Sequence, residues 1–182
     1  MLEIWTDGSC AQATTKCGGW GVIISNGVEF GGYLPNTTNQ RAEIQAVLEA
    51  LRYCKYTNQK AIIYSDSTYV VNSCTKWGKK WSSDGWKKVI ANKDLMQQLY
   101  PLYVELDCEL RWCKGHSGVE GNEKADKLAV YCREEKMNYN NIIEVSKESA
   151  DKMMEILDNP PPPNEKLIEA AKRHKEMVDN RK

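Results

Sequence analysis

The chain has 182 residues, 25 of them basic and 25 acidic, for a formal net charge of zero; that length suits one domain with at most an appendage. Overall neutrality argues at first sight against a polyanionic partner, and no apolar run approaches the ~20 residues of a membrane span. Seven cysteines, an odd number with no Cys-x-x-Cys pair, read as reduced thiols of an intracellular protein, cytoplasmic or nuclear by diffusion, since no secretory leader opens the chain.

The first segment, LEIWTDGS, alternates, with Leu2, Ile4 and Thr6 on one side and Glu3, Trp5 and Asp7 on the other. That pattern predicts a strand ending at Asp7-Gly8. Two further extended runs, GGWGVIIS and NGVEFGGY, meet at Asn26-Gly27, a two-residue hairpin signal. After the turn-forming PNTTN, Ala46, Val47, Ala50, Leu51 and Cys54 recur at helical spacing, and Glu43 falls on that apolar face near the helix start. An acid there needs something positive to meet it. The run AIIYSD reads as a central strand covered on both faces, ending at Asp66, and STYVVNSCTKW continues as a helix that Ser67 or Asp66 can cap.

Next comes the stretch Lys76 to Lys93, with six lysines and one acid, Asp84, interleaved with Trp77, Trp81 and Trp86. Its net charge of +5 shows that neutrality is only an average. Likewise Met1–Arg133 holds 16 basic and 14 acidic residues, against 9 and 11 in the rest. NKDLMQQLYPLYVEL predicts a helix ending near Pro101, CELRWCK a fifth strand, and EKADKLAVYCREE a helix with Asp126 in its first turns. The order is three antiparallel strands, helix, strand, helices, strand, helix, which predicts a mixed five-stranded sheet with helices packed on it, an α/β layered architecture. Composition changes beyond Lys136, dividing the chain into a domain of residues 1–136 and a helical, proline-containing extension of residues 137–182. There Ala150, Met153, Met154 and Leu157 follow helical spacing, Pro160–Pro163 form a stiff spacer, and the last residues are helical and charged. The extension reads as an amphipathic appendage docked on the body, a partner-binding arm, or a solvated tail.

Asp7, Glu43, Asp66 and Asp126 each sit where the pattern aims them at a common place. Two like charges at about 4 Å repel by roughly 4 kcal/mol even at an effective dielectric of 20. Several such pairs rival the ~5–15 kcal/mol stability of a whole domain, so a cluster of these acids demands cations.

Four motifs in order, TDGS, TNQRAE opening a helix, a strand ending in SDS, and GHSGVEGNEKAD, make the chain resemble type 1 ribonuclease H from Leu2 to about Arg133. The resemblance implies the ribonuclease H-like fold with a basic helical protrusion, and cleavage of the RNA strand of RNA/DNA hybrids to 5′-phosphate and 3′-hydroxyl ends. It implies two Mg²⁺ ions, with Mn²⁺ as a possible substitute, held by Asp7, Glu43, Asp66 and Asp126, with His116 assisting. By the family pattern Asp7 bridges the ions, Asp126 belongs to the nucleophile side, and Glu43 with Asp66 to the leaving side. Hard oxygen donors suit Mg²⁺, and paired ions can stabilise both the attacking and the leaving oxygen. As ordinary residues, Asp66 would be a helix cap and Asp126 a surface acid; His116, between Gly115 and Ser117, does not suit a core.

For the substrate, the resemblance places Asn39 and Gln40 near the minor groove, Glu43 against a 2′-hydroxyl, the group that distinguishes RNA from DNA, and Ser9 and Cys10 at backbone contacts. Asn39 could equally be a plain helix cap. Trp77 and Tyr69 match a channel for the DNA strand, Thr38 and Asn92 match a pocket for a DNA phosphate, and Lys79, Lys80, Lys87 and Lys88 supply salt-sensitive grip. Where some relatives carry arginine two positions before that threonine, this chain has Asn36, which weakens the expected pocket. The alternative for the lysine-rich stretch is a solvated basic helix with its tryptophans in the core. The expected biological role is removal of RNA primers and hybrids in DNA replication, by a monomer whose extension contacts the catalytic body or a replication partner. The rivals are a DNA nuclease or integrase-like enzyme of the same fold, which lacks the GHSGVEGN loop, a catalytically silent hybrid-binding module, and a domain derived from a reverse transcriptase. The short lead before Asp7 and Met1 favour a free-standing enzyme without a separate N-terminal hybrid-binding module.

Overall fold

Alternation along the first strand sorts its side chains between two helical layers. The computed structural model describes residues 1–11, 16–88 and 90–140. Strand β1 (Leu2–Cys10) lies at the centre of a sheet with β2 (Gly18–Ile24), β3 (Glu29–Leu34), β4 (Ala61–Ser65), β5 (Glu109–Trp112) and β6 (Tyr139–Asn140), in the order β5-β4-β1-β2-β3-β6. β1 runs antiparallel to β2 and parallel to β4, and β4 runs parallel to β5. The α/β layered fold is as expected, with one strand more: β6, too short to carry an alternation, pairs Tyr139 with Gly31 and Asn140 with Phe30.

Helix α1 (Asn39–Thr57) covers one face of the sheet and α5 (Glu120–Glu135) the other. On the α1 side Ile4, Val22, Val47, Leu48, Leu51 and Ile63 form a dry core, where truncating a large aliphatic side chain to alanine costs about 2–5 kcal/mol. On the α5 side Ile23, Ala125, Leu128 and Cys132 pack with Trp5 and Tyr139. β1 continues past Asp7-Gly8 to Cys10, against expectation, because Gly8 still pairs with Trp20 of β2. A Cβ on Gly8 would lie 2.2 Å from the backbone nitrogen of Glu43, so only glycine lets α1 cross the strand this closely. The β2–β3 loop is not the expected two-residue turn. Gly27 alone is left-handed (φ 89°), and the Asn26 side-chain oxygen accepts from Val28 N at 3.1 Å, a local asparagine turn.

Between β4 and β5 the chain builds α2 (Thr68–Asn72), a π-helical turn at Ser73–Trp77, α3 (Gly78–Ser83) and α4 (Lys93–Glu105). The sequence predicts one continuous helix through Trp77; the wider π turn interrupts it where Gly78 meets Tyr100, whose ring would lie 2.2 Å from an added Cβ. Helix α4 runs on past Pro101. The missing N–H there orphans only the carbonyl of Gln97, an exposed residue, where water can satisfy it. Among the described residues no helix is long and apolar enough to cross a membrane. The expected amphipathic segment around Ala150–Leu157, the Pro160–Pro163 spacer and the charged C-terminal helix lie outside the described residues.

Candidate active site

The parallel pairing of β1 with β4 brings Asp7 beside Asp66, which follows the last residue of β4. Helix α1 delivers Glu43 from the opposite layer across Gly8. Oxygens of Asp7, Glu43 and Asp66 all lie within 4.8 Å of one another, and Asp7 and Glu43 are each only 6% exposed. Asp126, in the second turn of α5, reaches Asp7 through a side-chain hydrogen bond. The structure thus gathers all four predicted acids.

Electrostatics follow from that packing. Burial, then the charges of Asp66 and Asp126, pushes the Asp7 carboxyl up to about 8, although the Gly8 N–H favours its ionised form. Burial, then Asp7 and Asp66, pushes Glu43 up to about 9. Asp66 is also raised, chiefly by burial, with His116 and a hydrogen bond from Asn122 opposing. Asn39 Nδ2 donates to Glu43 Oε1 at 3.5 Å, whereas Glu43 Oε2 is buried without a hydrogen-bond partner. A buried, unpartnered carboxylate oxygen facing other acids is unfavourable alone, and it is the donor type that a hard divalent cation takes. The residues therefore fit a divalent ion.

Asp66 is not the helix cap; Ser67 is, its hydroxyl accepting from Val70 N. His116 stands on an exposed loop with a left-handed backbone (φ 48°), its Nδ1 4.0 Å from Asp126 Oδ2. Two neighbours stand inside the GHSGVEGNEKAD motif but are given no role by the sequence reading. A Cβ on Gly115 would lie 2.3 Å from Asp66 Oδ2, so glycine lets the histidine loop close on that carboxylate. Asn122, 2% exposed, donates to Asp66 and accepts from the Cys113 thiol at 3.4 Å. Its place four residues before Asp126, one helical turn away on the same face, is the signal that could have found it.

The predicted substrate residues spread from this centre. Thr38, not Asn39, caps α1, its hydroxyl accepting from Arg41 N. Asn92 Nδ2 donates to Gln40 Oε1 at 3.5 Å, which joins two of the predicted groups, while Arg41 is held bidentately by Asp94 at 2.7 and 2.9 Å. Asn36, Thr38 and Cys10 line one cleft with Lys16. The Cys10 thiol lies 3.6 Å from the carbonyl oxygens of Ala11 and Thr37, and Ser9 Oγ accepts from Arg133 at 2.6 Å. Tyr69 donates to Ala91 O at 2.9 Å and begins a run of rings through Trp77, Trp81, Trp86 and Tyr100, with centroids 5.8–6.4 Å apart. Trp77 is 40% exposed, while Trp81 and Trp86 pack on the core. Lys79, Lys80, Lys87 and Lys88 are exposed, and none is in an ion pair among the described residues.

The profile of the family described as RNase H matches residues 1–134, and one described as antitoxin TacA 1-like matches residues 133–176. A ribonuclease H of Orientia tsutsugamushi (strain Boryong) is 43% identical over 136 residues, covering 71% of this chain and 80% of that protein. One of Hyphomonas neptunium is 43% identical over 137 residues, covering 71% and 89%. Among solved structures, LC9-RNase H1, described as a type 1 RNase H with the type 2 active-site motif, superposes with a TM-score of 0.71 at 27% identity over 81% of this chain and 78% of that one. With a profile match across most of its length and four gathered acids at the centre of the matched region, the chain belongs to the ribonuclease H family.

Proposed function

We propose that the chain hydrolyses the RNA strand of RNA/DNA hybrids with two divalent ions, Mg²⁺ in the first place, held by Asp7, Glu43, Asp66 and Asp126. The observation that carries this reading is the packing of three acids within 4.8 Å with the buried Glu43 Oε2 unpartnered. Bound ions supply the positive charge that makes water a nucleophile near neutral pH and stabilises the leaving oxygen. The chain's own groups do the rest. Asn39 orients Glu43, and Asn122 and the loop at Gly115 fix Asp66. His116, exposed beside Asp126 on the nucleophile side, shuttles a proton to solvent or helps release product. Water adds at phosphorus, the P–O3′ bond breaks, and 5′-phosphate and 3′-hydroxyl ends result.

Asn39 and Gln40 sit where α1 begins, suited to testing for a 2′-hydroxyl. The exposed lysines of the protrusion grip phosphates, and Trp77 and Tyr69 pack on the DNA strand. Removal of primers and stray hybrids during replication, by a monomer in the cytoplasm, is the role that suits this chemistry. A module that only binds hybrids gains nothing from mutually repelling acids next to phosphates. Residues 137–182 are read as an extension that serves a replication partner or the catalytic body rather than the chemistry, a division in line with the match of residues 133–176 to a second family, described as antitoxin TacA 1-like. Truncation after Asn140, which keeps β6, is expected to leave hybrid turnover in place; loss of turnover in a folded truncation would contradict that division.

The test is incubation of the full chain with labelled hybrid, duplex RNA and single-stranded RNA, each with Mg²⁺ and with chelator. Cleavage of the RNA strand in the hybrid alone, only with metal, is expected. Equal cleavage of duplex RNA, or turnover in chelator, would overturn the reading.

A further inference from the structure

Arg133 lies outside the acidic quartet, yet its position is tied to it. It follows Asp126 by seven residues on α5, two helical turns, so the two share a face. Asp7 and Ser9 likewise share a face of β1, the one covered by α5. The structure therefore sets two contacts side by side: Asp126 on Asp7, and Arg133 Nη1 on Ser9 Oγ at 2.6 Å. Backbone packing holds the second in place, since a Cβ on Gly19 would lie 2.2 Å from Ala129 O and 2.7 Å from Arg133 N. Close approach of α5 to β2 thus leaves the arginine stem little freedom, and its side chain is only 20% exposed.

A guanidinium carries five N–H donors in a planar fork. Ser9 takes one, and Glu134, itself 61% exposed, takes another at 3.0 Å, a surface pairing that a stronger anion can displace. Two residues along a strand advance about 6.6 Å, on the order of one nucleotide step along a nucleic-acid backbone. The arginine differs in kind from the lysines of the protrusion, which are free-standing point charges; a fork of this shape matches phosphate oxygens in pairs. Arg41, the other arginine near the start of α1, is already engaged by Asp94.

We infer that Arg133 is a phosphate-binding residue for the RNA strand, receiving the phosphate next to the one cleaved at Asp7, with Ser9 as the anchor that orients its guanidinium. This rests on the hybrid-cleaving reading above. It makes the end of α5 part of the substrate surface and gives the RNA strand a fixed point of register beside the acids.

The experiment is steady-state cleavage of a labelled hybrid in Mg²⁺ at several salt concentrations by wild type, Arg133→Ala, Arg133→Lys and Ser9→Ala, with melting temperatures for each. Arg133→Ala is expected to lower kcat/KM roughly 10-fold, the size of one charged hydrogen bond, mainly through a rise in KM. Its salt slope is expected to fall by about 0.9, the value of one neutralised phosphate. Arg133→Lys is expected to restore the slope but only part of KM, and Ser9→Ala to raise KM while keeping the slope. An unchanged salt slope in Arg133→Ala, or an effect confined to kcat, would overturn the inference, and Arg133→Lys provides the same readout if the alanine variant folds poorly. Should wild type leave the hybrid intact, the functional reading fails instead, which keeps the two failures apart.

Discussion

The acidic centre and the basic protrusion differ in what fixes them. Asp7, Glu43 and Asp66 are positioned by long-range pairing of β1 with β4 and by the crossing of α1 at Gly8; Asp7 and Glu43 are largely withdrawn from water and Asp66 is half-buried. The lysines of α3 and the following turn are exposed on a local helical excursion whose anchors are aromatic rings and a buried glycine. Charge in the first region is repelled by its neighbours at low local dielectric, whereas charge in the second is solvated and screened within about 10 Å at 0.1 M salt. On the proposed function, a few buried acids would control chemistry and stability together, while several exposed bases would control only affinity, and that in proportion to their number.

The largest break in this contrast is expected from Asp7→Asn. Removing the acid that touches all the others should lower hybrid cleavage by roughly 1000-fold or more, with hybrid binding kept or improved, since a negative charge beside phosphate is removed. Single-turnover cleavage and a binding titration read the two effects separately; retained turnover would show that the acids do not act as one centre.

The pH dependence of the metal-free protein comes next. Unfolded aspartate and glutamate lose their protons near pH 4, whereas folded Asp7 and Glu43 keep theirs to about 8 and about 9. Across that window the folded state binds more protons than the unfolded state, so stability falls as pH rises from about 4 to 9. Melting in chelator across this range should show the decline, and Asp7→Asn should flatten it. A profile that rises through the window would contradict the burial assigned to these acids.

A smaller effect is expected from Asn122→Ala, which frees Asp66 from its amide donor. Groups that orient a ligand in this way typically matter by about 10- to 100-fold, seen here as a higher Mg²⁺ requirement at unchanged substrate affinity. Smallest per residue is the protrusion. Changing Lys79, Lys80, Lys87 and Lys88 to alanine should raise KM and reduce the salt slope by roughly 0.9 for each phosphate no longer neutralised, with kcat at saturating hybrid little altered. An unchanged slope would move the grip elsewhere on the surface.

The same contrast explains what can be read from the chain alone. Asp7 and Asp66 are legible because strand alternation and an apolar run ending in an acid are local patterns, and Glu43 because it interrupts a helical apolar face. Their assembly is dictated once the strands pair. The contact of Ser9 with Arg133 spans 124 positions and leaves no local trace, since neither residue breaks its own pattern. Inside the protrusion, a π turn shifts the helical phase between Ser73 and Trp77, so counting at 3.6 residues per turn misassigns faces beyond it. Pro101 misleads for a different reason: proline disfavours a helix interior through its missing N–H and its ring clash but does not always end the helix, and here the carbonyl left without a donor belongs to the exposed Gln97 of α4. The sixth strand has two residues and is invisible to any search for period-two alternation.

At the centre of this molecule stand acids that repel one another when ionised, a set that fits a divalent ion. Melting of wild type and Asp7→Asn at pH 8, in chelator and in excess Mg²⁺, tests that directly. Wild type should melt lower than Asp7→Asn in chelator and rise markedly with Mg²⁺, while the variant gains little. Equal melting in chelator, together with no Mg²⁺ response in wild type, would contradict it.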